Sequence, residues 1–549
     1  MNLLTYLQQR LQEGAKPALQ VKDDHDDFQT LTWEALGEMV FRTAAAFESL
    51  GVKPGDRIAQ VSVNRLEWIV CDLAAYLCQA VHVPIHASLA GQQIAWQIRD
   101  CEPSLLLLSG PVQAEKLLAL ALPDPLPLVS FDPINHPLAG RPVLSLEALQ
   151  QSADPRRGEE LLQTAADALN ENSLATLLYT SGTTGEPKGV MLSHGNLTSN
   201  ALGACEMFDL EAGDVRLCWL PLSHVFARTA DLYTWLVWPD TVLALAESRD
   251  TILGDCSQVS PTLLSGVPYF FEKVMRFLVD QGVGDTPGAA SQLLGGRIRM
   301  CCSGGAALPD HVANFYRKQK LYLVQGYGLT ETSPVITVSD NPDKIGSVGR
   351  ALPGVEVRIA EDGEILTRGP HVMQGYWRRE EETAQTIRDG WLATGDLGRM
   401  DEDGYLYITG RKKEIIVTAA GKNIAPVLLE SRLCEDPLIQ QAMVVGDGRN
   451  YLAALLVPDR AALAAALEAQ GHTLPENWTS DEAVRSLVAE RVKARLADLS
   501  NYEQVGRFAL LSEAFTPDNG LLTPTLKLRR GEIAQRYADT IEALYAREG

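Results

Sequence analysis

Within nine residues, Ser181 to Gly189, the chain reads SGTTGEPKG: three glycines, two adjacent threonines, a serine and one lysine. Glycines let backbone amides approach a ligand closely, the hydroxyls of Ser181, Thr183 and Thr184 add donors, and Lys188 adds a compact positive charge. Donors converging with a single lysine suit a polyphosphate. The spacing is not that of a Walker loop, because no Gly-Lys-Ser/Thr opens a helix; Pro187 and Lys188 lead instead into the apolar KGVML. The bland alternative is a Gly/Thr turn joining two strands.

Other residues able to do chemistry follow downstream. Gly304, Gly305 and Ala306 open GGAAL directly after the apolar RIRMCCS, and a glycine turn at a strand end is where open α/β sheets bind ligands. In QGYGLTETSP (325 to 334) Tyr327 offers an aromatic face, Thr330 a hydroxyl and Glu331 a hard carboxylate oxygen of the kind that holds Mg²⁺ together with substrate phosphates. Asp396, in TGDLG, is either an acceptor for ribose hydroxyls or a side-chain cap. Arg411 is either a phosphate or ribose ligand or a surface charge. Lys527 stands among apolar and β-branched residues in LTPTLKLRR, where an ammonium can stabilise developing charge or merely extend a basic tail. His224, in LPLSHVFART, is a titratable group beside apolar residues, a setting that is often structural.

The elements that would position these groups show in the apolar pattern. DRIAQVSV, LATLLYT, KGVML and HVPIHA have strand length, and RLEWIVCDLAAYLCQA and AGQQIAWQIRDC are helical, an alternation that predicts parallel α/β layers over about the first 340 residues. Short segments with Asp-Gly turns follow, VEVRIAEDGEIL and GRMDEDGYLYITG, and read as hairpins. A third texture begins near Arg411, where AMVVGD and YLAALLVP read as strands and SDEAVRSLVAERVKARLADL as a helix with Ser480 as N-cap. The expected fold class is α/β: a large N-terminal domain of several subdomains, with stacked α/β layers and a β-rich part at about 341–411, and a small mobile α+β domain. The boundaries predicted are 1–411 and 412–549. At 549 residues the chain exceeds what one core usually supports.

Composition narrows the partners. With 48 basic against 70 acidic side chains, net −22, and no long run of one sign, nucleic acid is excluded as a general partner. The nine cysteines form no CxxC pair and sit in apolar runs, as in a reduced cytoplasmic protein. The opening MNLLTYLQQRLQEGAKPAL predicts an amphipathic helix with Leu3, Leu4, Leu7 and Leu11 on one side, and lacks the plan of a signal peptide. No uninterrupted apolar run spans a membrane, which leaves peripheral contact with the inner membrane surface open.

TSGTTGEPKG is almost letter for letter the phosphate loop of the adenylate-forming enzymes, a family that includes acyl-CoA synthetases, firefly luciferase and the adenylation domains of peptide synthetases. GGAAL, QGYGLTETSP, TGDLG, GRKKEIIVTAAGKNIAP and LTPTLKLRR then follow in the family's order over about 350 residues. The resemblance implies binding of ATP, Mg²⁺ and coenzyme A. It assigns the phosphates to Thr180, Ser181, Gly182, Thr183, Thr184, Gly185 and Lys188, and Mg²⁺ to Glu331 with Thr184. Adenine and the acyl-adenylate fall to Gly304, Gly305, Ala306, Gln325, Gly326, Tyr327, Gly328 and Thr330, and the ribose to Asp396 and Arg411. It makes Lys527 the residue bridging carboxylate and α-phosphate, Lys413 the hinge, and Gly421 with Lys422 the face that replaces Lys527 along the pantetheine channel in a second half-reaction.

The acid is narrowed by what is missing. Peptide-synthetase adenylation domains hold their substrate amine with an Asp in the stretch matching LPLSHVFART, and here that stretch has no acid. LPLSHVF, SGVPYFFEKV and KIGSVGRALPGVEVRI resemble bacterial long-chain fatty acyl-CoA synthetases instead, which implies a fatty acid substrate of medium to long chain, an apolar tunnel bounded partly by Val267, Pro268 and Tyr269, and His224 near the substrate carboxylate. An acyl-AMP ligase delivering to an acyl-carrier protein, and an inactive acyl-binding relative, are the alternatives. Ala307 departs from a proline common in the family, and the alanines of TAAGKN from Ser-Gly or Gly-Gly; neither carries a reactive group.

Overall fold

The computed structural model describes residues 1–180, 186–208, 210–246, 248–516, 519–523 and 527–546. Two compact units emerge. The first comprises Met1–Arg358, Leu366–Thr394 and Gly404–Leu406, and the second Ile359–Ile365, Gly395–Asp403 and Tyr407–Gly549.

The first unit is built on two sheets. A nine-stranded sheet runs in the order Arg350–Ala351, Val335–Val338, Tyr322–Gly328, Met300–Ser303, Leu263–Gly266, Val215–Cys218, Val242–Leu245, Pro17–Lys22 and Phe28–Thr32. Its central strands are parallel, and the turns at their C-terminal ends carry GGAAL and SGVP. An eight-stranded sheet runs Gly375–Tyr376, Lys188–Ser193, Leu174–Thr180, Val81–His86, Arg57–Ser62, Leu105–Leu108, Leu128–Ser130 and Leu144–Ser145. The expected α/β layering follows from strands apolar on both faces, such as Leu105–Leu108, which is buried throughout.

Several local expectations meet their physical reasons. Helix Leu3–Leu11 buries Leu3, Leu4 and Leu7, with Asn2 accepting from Thr5 N. Ser193 caps helix His194–Met207 by accepting from Asn196 N at 3.1 Å. In the second unit the cap differs from expectation: helix Glu482–Arg495 is capped by Asp481, whose carboxylate accepts from Ala483 N and Val484 N, one residue after Ser480. A carboxylate is the stronger acceptor at a helix N-terminus, since it also meets the helix dipole. Strand Tyr322–Gly328 is also longer than LYLV, and takes in Gln325, Gly326, Tyr327 and Gly328 themselves.

The second unit has its own core. Strand Leu452–Pro458 is buried along its length, paired antiparallel to Ile439–Val445 and parallel to Val505–Leu510. Leu429, Leu433, Val484 and Val488 cover one side, and Phe515, Leu521 and Ile533 the other. All nine cysteines are free thiols, seven of them buried, so their chemistry is packing.

Candidate active site

The two ends of the loop expected to hold phosphate are cross-strand partners. Strands Leu174–Thr180 and Lys188–Ser193 pair antiparallel, with Thr180 opposite Lys188. Ser181, Gly182, Thr183, Thr184 and Gly185, including the hydroxyl and metal roles expected of Thr184, lie outside the described residues.

Lys188 and Glu331 come together through a residue that sequence reading missed. Strand Gly375–Tyr376 adds to the sheet beside Lys188–Ser193, with Tyr376 opposite Val190. The Tyr376 ring lies under the Lys188 ammonium, 4.9 Å from Nζ to the centroid, and its hydroxyl donates to Glu331 Oε1 at 2.8 Å. Glu331 is held a second time, its backbone carbonyl accepting from Met373 N at 2.9 Å. One phenol thus presents a cation on its face and a carboxylate at its tip. Burial and the neighbouring Glu331 both push the Tyr376 hydroxyl far above its ordinary pKa, so it stays a donor. The signal available in the sequence was the apolar GYW ahead of the acidic run 380–382.

That acidic run supplies a second missed residue. Glu382 forms an ion pair with Lys188, and Arg379 reaches Glu186 at 3.6 Å. Helix Glu380–Thr386 and the Arg379 that precedes it therefore brace the lysine end of the loop at two points.

The turns expected to bind the nucleotide lie at the ends of neighbouring strands. Gly304 directly follows strand Met300–Ser303, in close contact with Phe226: a Cβ there would come within 2.9 Å of the phenyl ring. Gly305 takes a φ of +81°, which glycine adopts without strain, and Gly305 and Ala306 are exposed. Gly328 has no room for a side chain, since a Cβ would meet Pro334 O at 1.7 Å, whereas one at Gly326 would meet no protein atom closer than 4.0 Å. Gln325 and Tyr327 are buried in the strand, and Thr330 and Glu331 begin a single 3₁₀ turn, both partly exposed.

His224 caps its own short helix, Val225–Ala227, with Nδ1 accepting from Phe226 N at 3.2 Å, and its ring lies 6.3 Å from that of His86. The chain then enters a π-helix, Arg228–Tyr233, a form often found at functional sites. Arg228 points to the eight-stranded sheet, donating to Thr176 Oγ1 at 2.7 Å and pairing with Asp72, while Asp231 turns to the nine-stranded sheet and accepts from Ser265 Oγ at 2.7 Å. Between them Thr229 donates to Ser333 O at 2.9 Å, two residues past Glu331. Burial works against the Asp72 charge, but Arg228 and His82 outweigh it and hold its pKa down at about 2.

In the second unit the two residues expected at the ribose meet directly. Arg411 Nε donates to Asp396 Oδ1 at 2.8 Å, and Asp396 is buried. Lys412 is held by Asp362 at 2.6 Å and Glu364 at 2.8 Å, while Lys413 is exposed. Gly421 and Lys422 form the tip of the hairpin Ile416–Val417 and Asn423–Ile424: Thr418 N donates to Lys422 O at 3.0 Å and Gly421 N to Thr418 O at 2.8 Å. Gly421 has a φ of +71° and nothing within 4 Å of a would-be Cβ, so a turn already accounts for the glycine. Lys527 is exposed, and Lys527 N donates to Thr523 Oγ1 at 3.0 Å.

For a divalent cation, Glu331 is the candidate ligand in the first unit. Its carboxylate is partly exposed and oriented by Tyr376, which fits Mg²⁺ bound through one carboxylate and nucleotide phosphates.

Doubly layered α/β architecture, a glycine loop closed by Lys188 and a separate lysine-bearing C-terminal unit define an adenylate-forming enzyme class. Residues 7–377 match the AMP-binding enzyme family and 413–549 the AMP-binding enzyme C-terminal domain, and the chain belongs to this family. The long-chain-fatty-acid–CoA ligase FadD15 of Mycobacterium bovis is 36% identical over 546 residues, covering 91% of this chain and 90% of that protein. The long-chain-fatty-acid–CoA ligase ACSBG1 of Homo sapiens is 28% identical over 596 residues, covering 95% and 82%. Among solved structures, the adenylation domain of a carboxylate reductase from Mycobacterium chelonae shares the fold with a TM-score of 0.80 at 23% identity, over 100% of this chain and 91% of that one. ATP-bound MatB from Rhodopseudomonas palustris does so at 0.76 and 24%, over 98% and 100%. Among the described residues, no helix is long and apolar enough to cross a membrane.

Proposed function

We propose that this chain activates a fatty acid with ATP to an acyl-adenylate and then transfers the acyl group to coenzyme A, releasing pyrophosphate and AMP. The observation that carries the reading is kinship along nearly the whole chain with a long-chain-fatty-acid–CoA ligase, in a protein where Tyr376 brings a phosphate-loop lysine beside a metal-type carboxylate.

In the first half-reaction a carboxylate oxygen attacks the α-phosphorus and the bond to the β-phosphate bridging oxygen breaks. The transferring group carries spread negative charge, so catalysis consists of positioning and neutralisation. Lys188 serves the β- and γ-phosphates, Lys527 the α-phosphate and attacking carboxylate, and Asp396 with Arg411 the ribose. Mg²⁺, held by Glu331 and the phosphates, supplies further neutralisation when bound. His224 serves near the substrate carboxylate, and an apolar tunnel bounded partly by Val267, Pro268 and Tyr269 receives the alkyl chain. In the second half-reaction the thiolate attacks the acyl carbonyl and AMP leaves with the bonding pair. Lys413 serves as the hinge that exchanges Lys527 for the Gly421–Lys422 turn.

The test is pyrophosphate release across a panel of carboxylic acids, with coenzyme A, a phosphopantetheinylated acyl-carrier protein, or no acceptor. Fatty acids should release pyrophosphate, and coenzyme A should yield a thioester. Release only with non-fatty acids would overturn the substrate class, and thioester formation only on the carrier would overturn the acceptor.

A further inference from the structure

We propose that Asn196 and Asn200 are positioning residues for Glu331: one turn apart on a single helix, they hold the two chain segments that fix where its carboxylate stands. The proposal rests on Glu331 taking Mg²⁺ and names what aims it.

Helix His194–Met207 continues directly from strand Lys188–Ser193, so it shares a frame with Lys188. Asn196 and Asn200 lie four residues apart and therefore on one face of it, 8% and 1% exposed. Both side chains bond backbone far away in the sequence.

Asn200 meets Val335 as a neighbouring strand would. Its Nδ2 donates to Val335 O at 2.7 Å while its Oδ1 accepts from Val335 N at 3.1 Å, and Nδ2 also reaches Thr332 O at 3.4 Å. The 3₁₀ turn Thr330–Thr332, which carries Glu331, is thereby pinned on its outgoing side. Asn196 pins the second segment. Its Oδ1 accepts from Ser193 N at 2.9 Å, and its Nδ2 donates to Pro370 O at 2.7 Å and Val372 O at 2.9 Å. The next residue, Met373, donates its N–H to Glu331 O, and Tyr376 then reaches the Glu331 carboxylate. One helix face thus sets both the backbone that bears Glu331 and the phenol that orients it.

Asparagine is a poor helix former and its amide is costly to bury, so an apolar side chain would suit the helix better at either site. What the amides add is direction, because buried polar groups whose bonds are satisfied fix a single arrangement. Thr229 holds the same turn from the π-helix, through Ser333 O, so loss of one asparagine loosens the turn without releasing it.

The experiment compares Asn200→Ala, Asn196→Asp, Ser199→Ala and Glu331→Gln with the wild type in the full-length enzyme. Asn196→Asp keeps an acceptor for Ser193 N but turns an oxygen toward the Pro370 and Val372 carbonyls. Ser199 lies on the same helix, and its hydroxyl donates to Asn196 O within it. Two readouts are taken: hydrogen–deuterium exchange of the ligand-free protein over residues 329–338 and 370–376, and a Mg²⁺ titration of pyrophosphate release, carried to saturating metal, with the acid that releases it best.

Asn200→Ala is expected to speed exchange at Val335 N–H by about tenfold, the effect of one lost buried bond. It should also raise the Mg²⁺ concentration for half-maximal release by about tenfold, with saturating Mg²⁺ restoring release to within about threefold of wild type. Asn196→Asp should speed exchange at Met373 and shift the titration by about threefold to tenfold, and it decides the matter should Asn200→Ala not fold. Ser199→Ala should move neither readout by more than about twofold; a shift like that of Asn200→Ala would make the effect one of helix stability and overturn the proposal. A lost rate that Mg²⁺ does not restore, or asparagine variants that titrate like wild type while Glu331→Gln does not, also overturns it. If Glu331→Gln leaves the titration unmoved, the metal role of Glu331 falls and the proposal with it. Release only from non-fatty acids overturns the substrate class alone, since the metal comparison is made with whichever acid is used.

Discussion

Arg228 and Asp72 form an ion pair with neither side chain exposed to solvent, deep in the first unit, with His82 at 3.0 Å from both. Removing two charges from water is costly and their attraction barely repays it, but leaving one of them alone is far worse. Arg228→Met is therefore expected to destabilise the folded protein by about 3–5 kcal/mol, and the double variant with Asp72→Leu by less than the two single changes combined. Urea denaturation of the four proteins measures this. Additive losses would mean that the pair is not coupled.

Glu382 pairs with Lys188, so on the role proposed for Lys188, ATP has to displace it. A half-exposed pair is worth up to about 1 kcal/mol, a factor of about five in affinity. Glu382→Gln should lower KM for ATP by about threefold to fivefold with kcat unchanged, and the difference should shrink in high salt. A raised KM would make Glu382 a helper of ATP binding rather than its competitor.

Tyr376 orients the carboxylate assigned to the metal. Partners that orient a metal ligand are worth about 10–100-fold in metal affinity. Tyr376→Phe is expected to raise the Mg²⁺ concentration for half-maximal pyrophosphate release by about tenfold, and Glu331→Gln by more. A metal titration unmoved by either change would remove Glu331 from the site.

Burial pushes the imidazole pKa of His86, His194 and His371 down to about 4. These rings are neutral when folded and bind protons near pH 6.5 when unfolded, so the unfolded state takes up more protons as pH falls. Their contribution to stability is complete above about pH 6.5 and is lost progressively down to about pH 4, by about 1.4 kcal/mol per pH unit for each ring. Denaturation midpoints should fall between pH 7.5 and 5. A flat profile there would show that the three sites hydrate before the protein unfolds.

Gly421 has a turn to account for it, which makes bulk alone a poor probe of the pantetheine channel. Asn tolerates positive φ, so Gly421→Asn should keep the hairpin while placing a side chain in the open space above it. Thioester formation from supplied acyl-adenylate is expected to drop about tenfold with adenylation kept. Intact thioester formation would place the channel elsewhere.

Much was legible in order and pattern. Strand-length apolar runs ending in glycine turns located GGAAL, an N-cap serine located helix His194–Met207, and an alternating run located the Asp-Gly hairpins, because each rests on neighbours along the chain. Asp481 shows the limit of such local reading: two adjacent capping residues compete, and the backbone geometry selects one. QGYG shows another, since a loop-like glycine motif is drawn into a strand by the partner Val335–Val338.

What the letters alone determined is the class of chemistry, through an order of motifs that leaves few other readings and that offers Lys188, Glu331, Asp396 and Lys527 as the residues expected to act. What only the tertiary structure decided is which distant residues complete them. Tyr376 reaches Lys188 and Glu331, Arg228 finds Asp72, and Arg530 reaches Glu414 and Glu430, across gaps of 45 residues or more. Local pattern carries no record of such pairings, because they are made by sheet order and helix packing, and it is there that charges removed from water must find their partners.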